Sequence, residues 1–124
     1  MLQRVLVVED EQDVAELVED VLEMEGLEVM LAVGETALDD AIVFEPDVVL
    51  LDLMMPGVDG FEVARRLRAH EATRNIPIVV MTAMHDPEAR AADVGTDHFL
   101  AKPFDINVLL ETVQRAAAVP NRRS

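Results

Sequence analysis

The 124 residues fit a single domain with no room for a second, and a hydrophobic share of 51% is enough to form a packed core. The formal net charge of -15 disfavours direct binding to nucleic acid or to anionic membranes, because the average surface repels phosphate. The absence of cysteine excludes disulfides and thiolate chemistry, and the absence of a signal-peptide pattern or a long apolar run predicts a cytoplasmic protein.

Five short apolar segments predict β-strands. They are rich in Val and Leu and apolar almost throughout, which is typical of strands that are buried on both faces of a sheet. A stretch with helical periodicity follows each of them, without a repeat or a linker. The predicted strands span residues 4–8, 27–32, 47–51, 78–82 and 98–101.

The segments between and after these strands predict five helices. Gly26 is a natural stop for the first helix, and the second should end before Pro46. Asp105 can cap the fifth helix. The helical stripes run from Val14 to Leu22, from Ala37 to Ile42, from Phe61 to Leu67, from about 87 to 94, and from Ile106 to Ala117.

This alternation predicts an α/β fold, (βα)5, in which a doubly wound five-stranded parallel sheet carries helices on both faces. The commonest strand order for such a sheet is 2-1-3-4-5. In that order ligands bind beyond the carboxyl ends of the first and third strands, where the order reverses. We assign residues 1–119 to this domain and residues 120–124 to a tail or the start of a linker.

Three carboxylates are predicted to meet at this edge of the sheet. Glu9 and Asp10 follow the first strand, and Asp52 follows the third. Like charges this close repel one another unless a cation lies among them, and a few carboxylates completed by water suit Mg²⁺ better than Ca²⁺. A plainer alternative is that Glu9, Asp10 and Glu11 only favour the positive end of the first helix.

A hydroxyl and an ammonium are predicted at the same edge. Thr82 ends the fourth strand, and Lys102, the only lysine of the chain, follows the fifth. An aspartate can attack phosphorus to form an aspartyl phosphate, while a divalent ion, an ammonium and a hydroxyl stabilise the phosphoryl oxygens. The combination indicates phosphoryl transfer, although Lys102 as a plain ion-pair partner and Thr82 as an ordinary strand residue are open alternatives.

Four segments, VLVVEDE, VVLLDLMMPGVDGFEV, IVVMTA and GTDHFLAKPF, together resemble the response-regulator receiver domain of two-component signal transduction. The resemblance covers nearly the whole chain and implies the flavodoxin-like fold of the CheY-like superfamily. It implies a signalling switch rather than an enzyme, in which Asp52 accepts a phosphoryl group from a sensor histidine kinase or a histidine phosphotransfer protein. The chain could be a stand-alone receiver or one excised from a longer polypeptide.

The resemblance also implies the metal ligands. Asp10 and Asp52 would bind Mg²⁺ directly, for which Mn²⁺ could substitute, and the backbone carbonyl of Met54 would be a further ligand. Glu9, which stands where the family more often has Asp, would act through water. Lys102 would pair with the phosphoryl group.

A switch is implied as well. Thr82 would move toward the new phosphate and Phe99 would turn inward behind it, by packing alone because it lacks the hydroxyl of the Tyr that is often found there. The Lys102–Pro103 bond resembles the cis peptide of the family. The partner surface would be the fourth helix, fifth strand and fifth helix, through which a phosphorylation-dependent homodimer could also form. Met54 and Met84 lie where family members vary the lifetime of the phosphate, and their apolar side chains predict a long-lived phosphoaspartate.

The main alternative is a Mg²⁺-dependent phosphatase of the haloacid-dehalogenase type, which also uses an aspartate nucleophile. Such enzymes carry a second acid two residues after the nucleophile to act on the leaving group, and this chain has Met54 there. A nucleotide-binding role would need a glycine-rich phosphate loop, and neither GxGxxG nor GxxxxGK[ST] occurs.

Overall fold

A computed structural model describes residues 3–118, in which five parallel strands form one sheet. The strands are β1 Arg4–Val8, β2 Glu28–Ala32, β3 Val48–Asp52, β4 Ile78–Thr82 and β5 His98–Ala101. Their order across the sheet is β2-β1-β3-β4-β5. Each pair of neighbouring strands is parallel. The predicted fold class and strand order are therefore confirmed.

Five α-helices connect and follow the strands. The side chain of Asp105 accepts a hydrogen bond of 2.7 Å from the backbone N–H of Asn107, so the predicted cap of the last helix is present. No helix within residues 3–118 combines the length and the apolar character needed to cross a membrane. The helices are α1 Gln12–Met24, α2 Ala37–Phe44, α3 Gly60–Ala69, α4 Pro87–Asp93 and α5 Ile106–Ala117.

The sheet separates two hydrophobic cores, because successive side chains of a strand point to opposite faces. In β1, Leu6 and Val8 pack on the side of α2 and α3, while Val5 and Val7 pack on the side of α1 and α5. All five residues of β3 and all five of β4 are buried, as the apolar segments predicted. The central strands thereby hold their carboxyl ends in a rigid frame.

Several element boundaries differ from those predicted. β2 begins at Glu28, one residue late, and β3 spans 48–52 rather than 47–51. The side chain of Asp47 accepts a 2.7 Å hydrogen bond from the backbone N–H of Arg4, so this residue joins β1 without belonging to β3. Asp52 is consequently the last residue of β3 itself. The predicted domain limit at 119 and the tail at 120–124 lie outside the described residues.

Two small elements were not predicted. A 3-10 turn covers Gly34–Thr36, and Met54–Met55 pairs with Val58–Asp59 as a short antiparallel ribbon between β3 and α3. These pieces are too short to give a periodic pattern in the sequence. The ribbon turns the chain back so that α3 begins directly beside the end of β3.

Gly60 allows this close approach. Its backbone N–H donates to the carbonyl of Leu53 at 3.3 Å. A Cβ at position 60 would lie 2.5 Å from the backbone oxygen of Asp52 and 2.5 Å from the Cα of Leu53. Because both atoms belong to the backbone, neither can move aside without shifting the end of β3.

We expect Gly60→Ala to lower the free energy of unfolding by about 3 kcal/mol, because the added methyl overpacks a backbone contact. The matched control is Gly57→Ala, where φ is +77° but an added Cβ meets no atom within 4 Å. That control should cost only about 1 kcal/mol, the price of a left-handed conformation. Urea denaturation of the two variants compares them, and equal losses would contradict the steric role of position 60.

Candidate functional site

Asp52 lies at the carboxyl end of β3 with a side chain that is almost completely buried. Its Oδ1 accepts a hydrogen bond of 3.0 Å from the backbone N–H of Met54. Its Oδ2 lies 3.2 Å from the Nζ of Lys102. The carboxylate is therefore held from two sides, at the carboxyl end of β3 next to that of β1.

Glu9 and Asp10 bring two more carboxylates to this point. Glu9 is 4% exposed, and its Oε2 accepts a 3.1 Å hydrogen bond from the backbone N–H of Glu11, whereas Asp10 is exposed. Glu9, Asp10 and Asp52 each offer an oxygen within 4.8 Å of the other two. An all-oxygen set of this kind suits a hard divalent cation such as Mg²⁺.

Lys102 places its ammonium between the two buried carboxylates. The Nζ atom lies 2.7 Å from Oε1 of Glu9 and 3.2 Å from Oδ2 of Asp52. Its side chain is 19% exposed, so the group also borders the open cleft. One cation thus compensates two anions, and the cluster keeps an excess of negative charge.

The pKa values of Glu9 and Lys102 follow from this imbalance of charge. Burial raises the pKa of Glu9, the hydrogen bond from Lys102 opposes that rise, and nearby Asp52 adds to it, so the pKa lies above its usual 4.5. Burial lowers the pKa of Lys102, but Glu9 and Asp52 together outweigh burial and raise it above 10.5. Lys102 is therefore charged at neutral pH, and the stability that it contributes below pH 10.5 is lost only as pH rises through its raised pKa. For Glu9, stability present below pH 4.5 is lost as the carboxyl ionises.

Thr82 ends β4 beside this cluster and is fully buried. Its Oγ1 accepts a 2.9 Å hydrogen bond from the backbone N–H of Met84, and its carbonyl accepts one of 2.9 Å from the N–H of Lys102. The Lys102–Pro103 peptide bond is cis. The hydroxyl and the ammonium are thus carried by adjacent strand ends.

Phe99 lies outside the cleft on β5. It is half-buried and packs against the core on the α2 and α3 side. In the register of the sheet Phe99 pairs with Val80 and Ala101 pairs with Thr82, so Phe99 and Thr82 lie on one face, two residues apart. Their side chains belong to the same layer of packing beneath α4, which contacts both β4 and β5.

The structure brings Glu9, Asp10, Asp52 and Lys102 together around one cleft, which Met54 also lines. Sequence reasoning missed the backbone donors at this site. The side chains of Glu9, Asp52 and Thr82 each accept a hydrogen bond from the N–H two residues later. Every residue type except Pro supplies a backbone N–H, so these donors carry no signal in a sequence.

Comparison with known proteins agrees with this geometry. A family model described as the response regulator receiver domain matches residues 5–114. The chain is 40% identical over 114 residues to the DNA-binding dual master transcriptional regulator RpaA of Synechocystis sp., an alignment that covers 90% of this chain and 47% of RpaA. The chain spans about half the length of the full-length relatives that it matches.

Two solved structures are also similar. The chemotaxis response regulator CheY4 of Vibrio cholerae superimposes with a TM-score of 0.85 at 33% identity, covering 94% of this chain and 99% of that one. The receiver domain of the sensor histidine kinase PA1611 from Pseudomonas aeruginosa superimposes with a TM-score of 0.84 at 31% identity, covering 94% of this chain and 98% of that one. That structure has a magnesium ion coordinated in its active-site cleft.

Removing one buried carboxylate should stabilise the protein in the absence of divalent ions. We expect Asp52→Asn to raise the free energy of unfolding by about 1 kcal/mol at pH 7, because Lys102 then compensates Glu9 alone. The asparagine can still accept the hydrogen bond from the N–H of Met54. Chemical denaturation in the presence of a chelator measures the difference.

The matched control for this prediction is Glu71→Gln, which removes one charge from an exposed loop position far from the cluster. It separates the local effect from the reduced self-repulsion that loss of any one negative charge gives a chain with net charge -15. Mg²⁺ should shrink the difference between wild type and Asp52→Asn, because a bound ion stabilises the native wild type. A variant less stable than the wild type in chelator would contradict this prediction.

Proposed function

This chain belongs to the response regulator receiver domain family of two-component systems, and we propose that it is a phosphorylation-dependent switch with Asp52 as its phosphoacceptor. The observation that carries the proposal is the position of Lys102, whose ammonium lies 3.2 Å from Asp52 at the edge of an open cleft. An aspartate held beside a fixed cation can receive a phosphoryl group, because the cation offsets the added charge.

The proposed reaction is an attack by a carboxylate oxygen of Asp52 on the phosphorus of a phosphohistidine. The donor is a sensor histidine kinase or a histidine phosphotransfer protein. A P–O bond forms, the P–N bond breaks, and the imidazole leaves with the electron pair and takes up a proton. Lys102 stabilises charge on the transferred oxygens, and the N–H of Met54, 3.0 Å from Oδ1, keeps the carboxylate oriented.

Glu9, Asp10, Asp52 and the backbone carbonyl of Met54 would hold Mg²⁺, or Mn²⁺ in its place. The convergence of carboxylate oxygens within 4.8 Å supports this assignment, as does the magnesium ion in the related receiver domain of PA1611. When bound, the ion would supply positive charge next to the phosphoryl oxygens. Glu9, which is buried and already paired with Lys102, is suited to act through water rather than directly.

The switch would run through Thr82 and Phe99. After phosphorylation, the hydroxyl of Thr82 would exchange its present bond with the N–H of Met84 for one to a phosphoryl oxygen. Movement of Thr82 would leave room in the layer that it shares with Phe99, and the ring would fill that room. The surface of α4, β5 and α5 would change accordingly and bind a downstream partner or a second copy of the chain.

The chain is a receiver and not a typical enzyme, and its catalysis is proposed to be limited to its own phosphorylation and autodephosphorylation. The position two residues after Asp52 disfavours a phosphatase, because the side chain of Met54 has no proton to give to a leaving group. We do not propose DNA binding for this chain, although RpaA is a DNA-binding regulator, because the chain spans only 47% of RpaA and has a strongly negative charge. We place the chain in the cytoplasm, without membrane contact.

Incubation with acetyl phosphate tests the acceptor. Intact-protein mass spectrometry should show an adduct of one phosphoryl group that depends on Mg²⁺, and Asp52→Asn should lack it. Glu71→Gln, an exposed carboxylate remote from the cleft, should be modified like the wild type. A persistent adduct in Asp52→Asn would assign the phosphate elsewhere, and no adduct with any donor, phosphohistidine proteins included, would reject the proposed function.

The lifetime of the phosphate should be long because Met54 cannot orient an attacking water. We expect Met54→Asn to speed hydrolysis about fivefold, which corresponds to one net hydrogen bond in the transition state. The decay of the adduct after removal of the donor measures the rate. The proposed tuning role is wrong if Met54→Asn and wild type decay alike.

Replacing Phe99 by Ala should separate phosphorylation from its structural response. The adduct should form as in wild type, since Phe99 lies outside the cleft, while the phosphorylation-induced change in amide hydrogen exchange across α4, β5 and α5 should be largely lost. Phe44→Ala is a matched control, because this half-buried ring packs against the same core at the end of α2. A full response in Phe99→Ala would remove Phe99 from the switch.

A further inference from the structure

A methionine side chain stands at the entrance to the acceptor site. Met54 is 59% exposed and lines the cleft together with Asp52 and Lys102. It also lines the neighbouring apolar groove, to which Met84 contributes from the loop after β4. The thioether of Met54 is therefore open to small solutes and lies beside the path by which water reaches Asp52.

The other described methionines differ in access or in place. Met55 and Met81 are buried, and Met30 and Met84 are half-buried, so all four are less open to oxidants than Met54, although Met84 lines the same groove. Met24 is 84% exposed, but it ends α1, about 18 Å along the helix axis from the first turn beside the cleft. Residues 3–118 thus offer one exposed thioether at the site and one far from it.

We propose that Met54 is a redox modification site, whose oxidation to the sulfoxide by hydrogen peroxide shortens the lifetime of the phosphoryl group on Asp52. The sulfur lone pair attacks one peroxide oxygen, an S–O bond forms and the O–O bond breaks. The departing hydroxide takes the proton from the hydroxyl now bound to sulfur, which leaves the sulfoxide and releases water. The thioether loses two electrons and the peroxide gains them, so no further reactant is needed. This inference rests on the proposed function of Asp52.

The change of polarity gives the physical reason. A thioether is a weak acceptor on an apolar chain, whereas a sulfoxide oxygen is a polar acceptor at the same position. Because the backbone N–H of Met54 donates a hydrogen bond to Asp52, the Cα and Cβ of Met54 have a defined position relative to the phosphoryl group. The sulfoxide oxygen can accept a hydrogen bond from water in the cleft and hold that water near phosphorus. Met54 in its oxidised form is thereby a positioning residue for the hydrolytic step.

The experiment compares the decay of the phosphoryl adduct before and after oxidation. Wild type, Met54→Leu and Met24→Leu are treated with hydrogen peroxide, freed of it with catalase, and phosphorylated with acetyl phosphate and Mg²⁺. Peptide mass spectrometry gives the sulfoxide content of each methionine. For every protein the measured quantity is the ratio of the decay rate after oxidation to the decay rate before it, so a changed basal rate in Met54→Leu does not matter.

Oxidation of Met54 should raise the decay rate about fivefold in wild type and in Met24→Leu, the size of effect that one net hydrogen bond gives, and leave the rate of Met54→Leu unchanged. Methionine sulfoxide reductase should restore the slow decay. A ratio of one in fully oxidised wild type, or an equal acceleration in Met54→Leu, would overturn the inference while leaving Asp52 as the acceptor. Failure of untreated wild type to form any adduct would reject the proposed function and this inference with it.

Discussion

The fold depends at its functional edge on one ammonium that compensates two buried carboxylates. Lys102 lies within 3.2 Å of both Glu9 and Asp52, and neither carboxylate is more than 4% exposed. Burying two anions with one cation costs stability, and burying them with none would cost far more. The strands β1, β3 and β5 must therefore end at the same level, because each delivers one member of the triad.

Local hydrogen bonds orient the polar side chains at the strand ends. Glu9, Asp52 and Thr82 stand at three neighbouring strand ends, and each accepts a bond from the N–H two residues later, between 2.9 and 3.1 Å. These bonds use loop donors that have no partner within the sheet, and they fix the polar side chains without further residues. The hydroxyl of Thr82 is held in this way by a single hydrogen bond between neutral groups, so it can leave that bond at low cost.

The surroundings of Asp52 are as important as the carboxylate itself. The cleft carries charge from Glu9, Asp10 and Lys102 and an apolar side chain from Met54. The ammonium of Lys102 favours acceptance of a phosphoryl group because it offsets the added negative charge, while an apolar rim without proton donors does not assist its loss. The proposed long lifetime of the phosphate and the proposed effect of oxidation at Met54 both rest on this balance.

The sequence by itself determined the fold class, the strand order and the residue types at the site, because apolar segments of strand length and helical stripes repeat without interruption. It also placed Asp52, Thr82 and Lys102 at strand ends. Only the tertiary structure decided that Glu9 is buried and Asp10 exposed, that Lys102 bridges Glu9 and Asp52, and that backbone N–H groups orient them. Adjacent carboxylates look alike in a sequence, and their burial depends on which distant segments pack around them. The short ribbon after Asp52 was also decided only by the tertiary structure, since two-residue strands are too short to give a periodic pattern in the sequence.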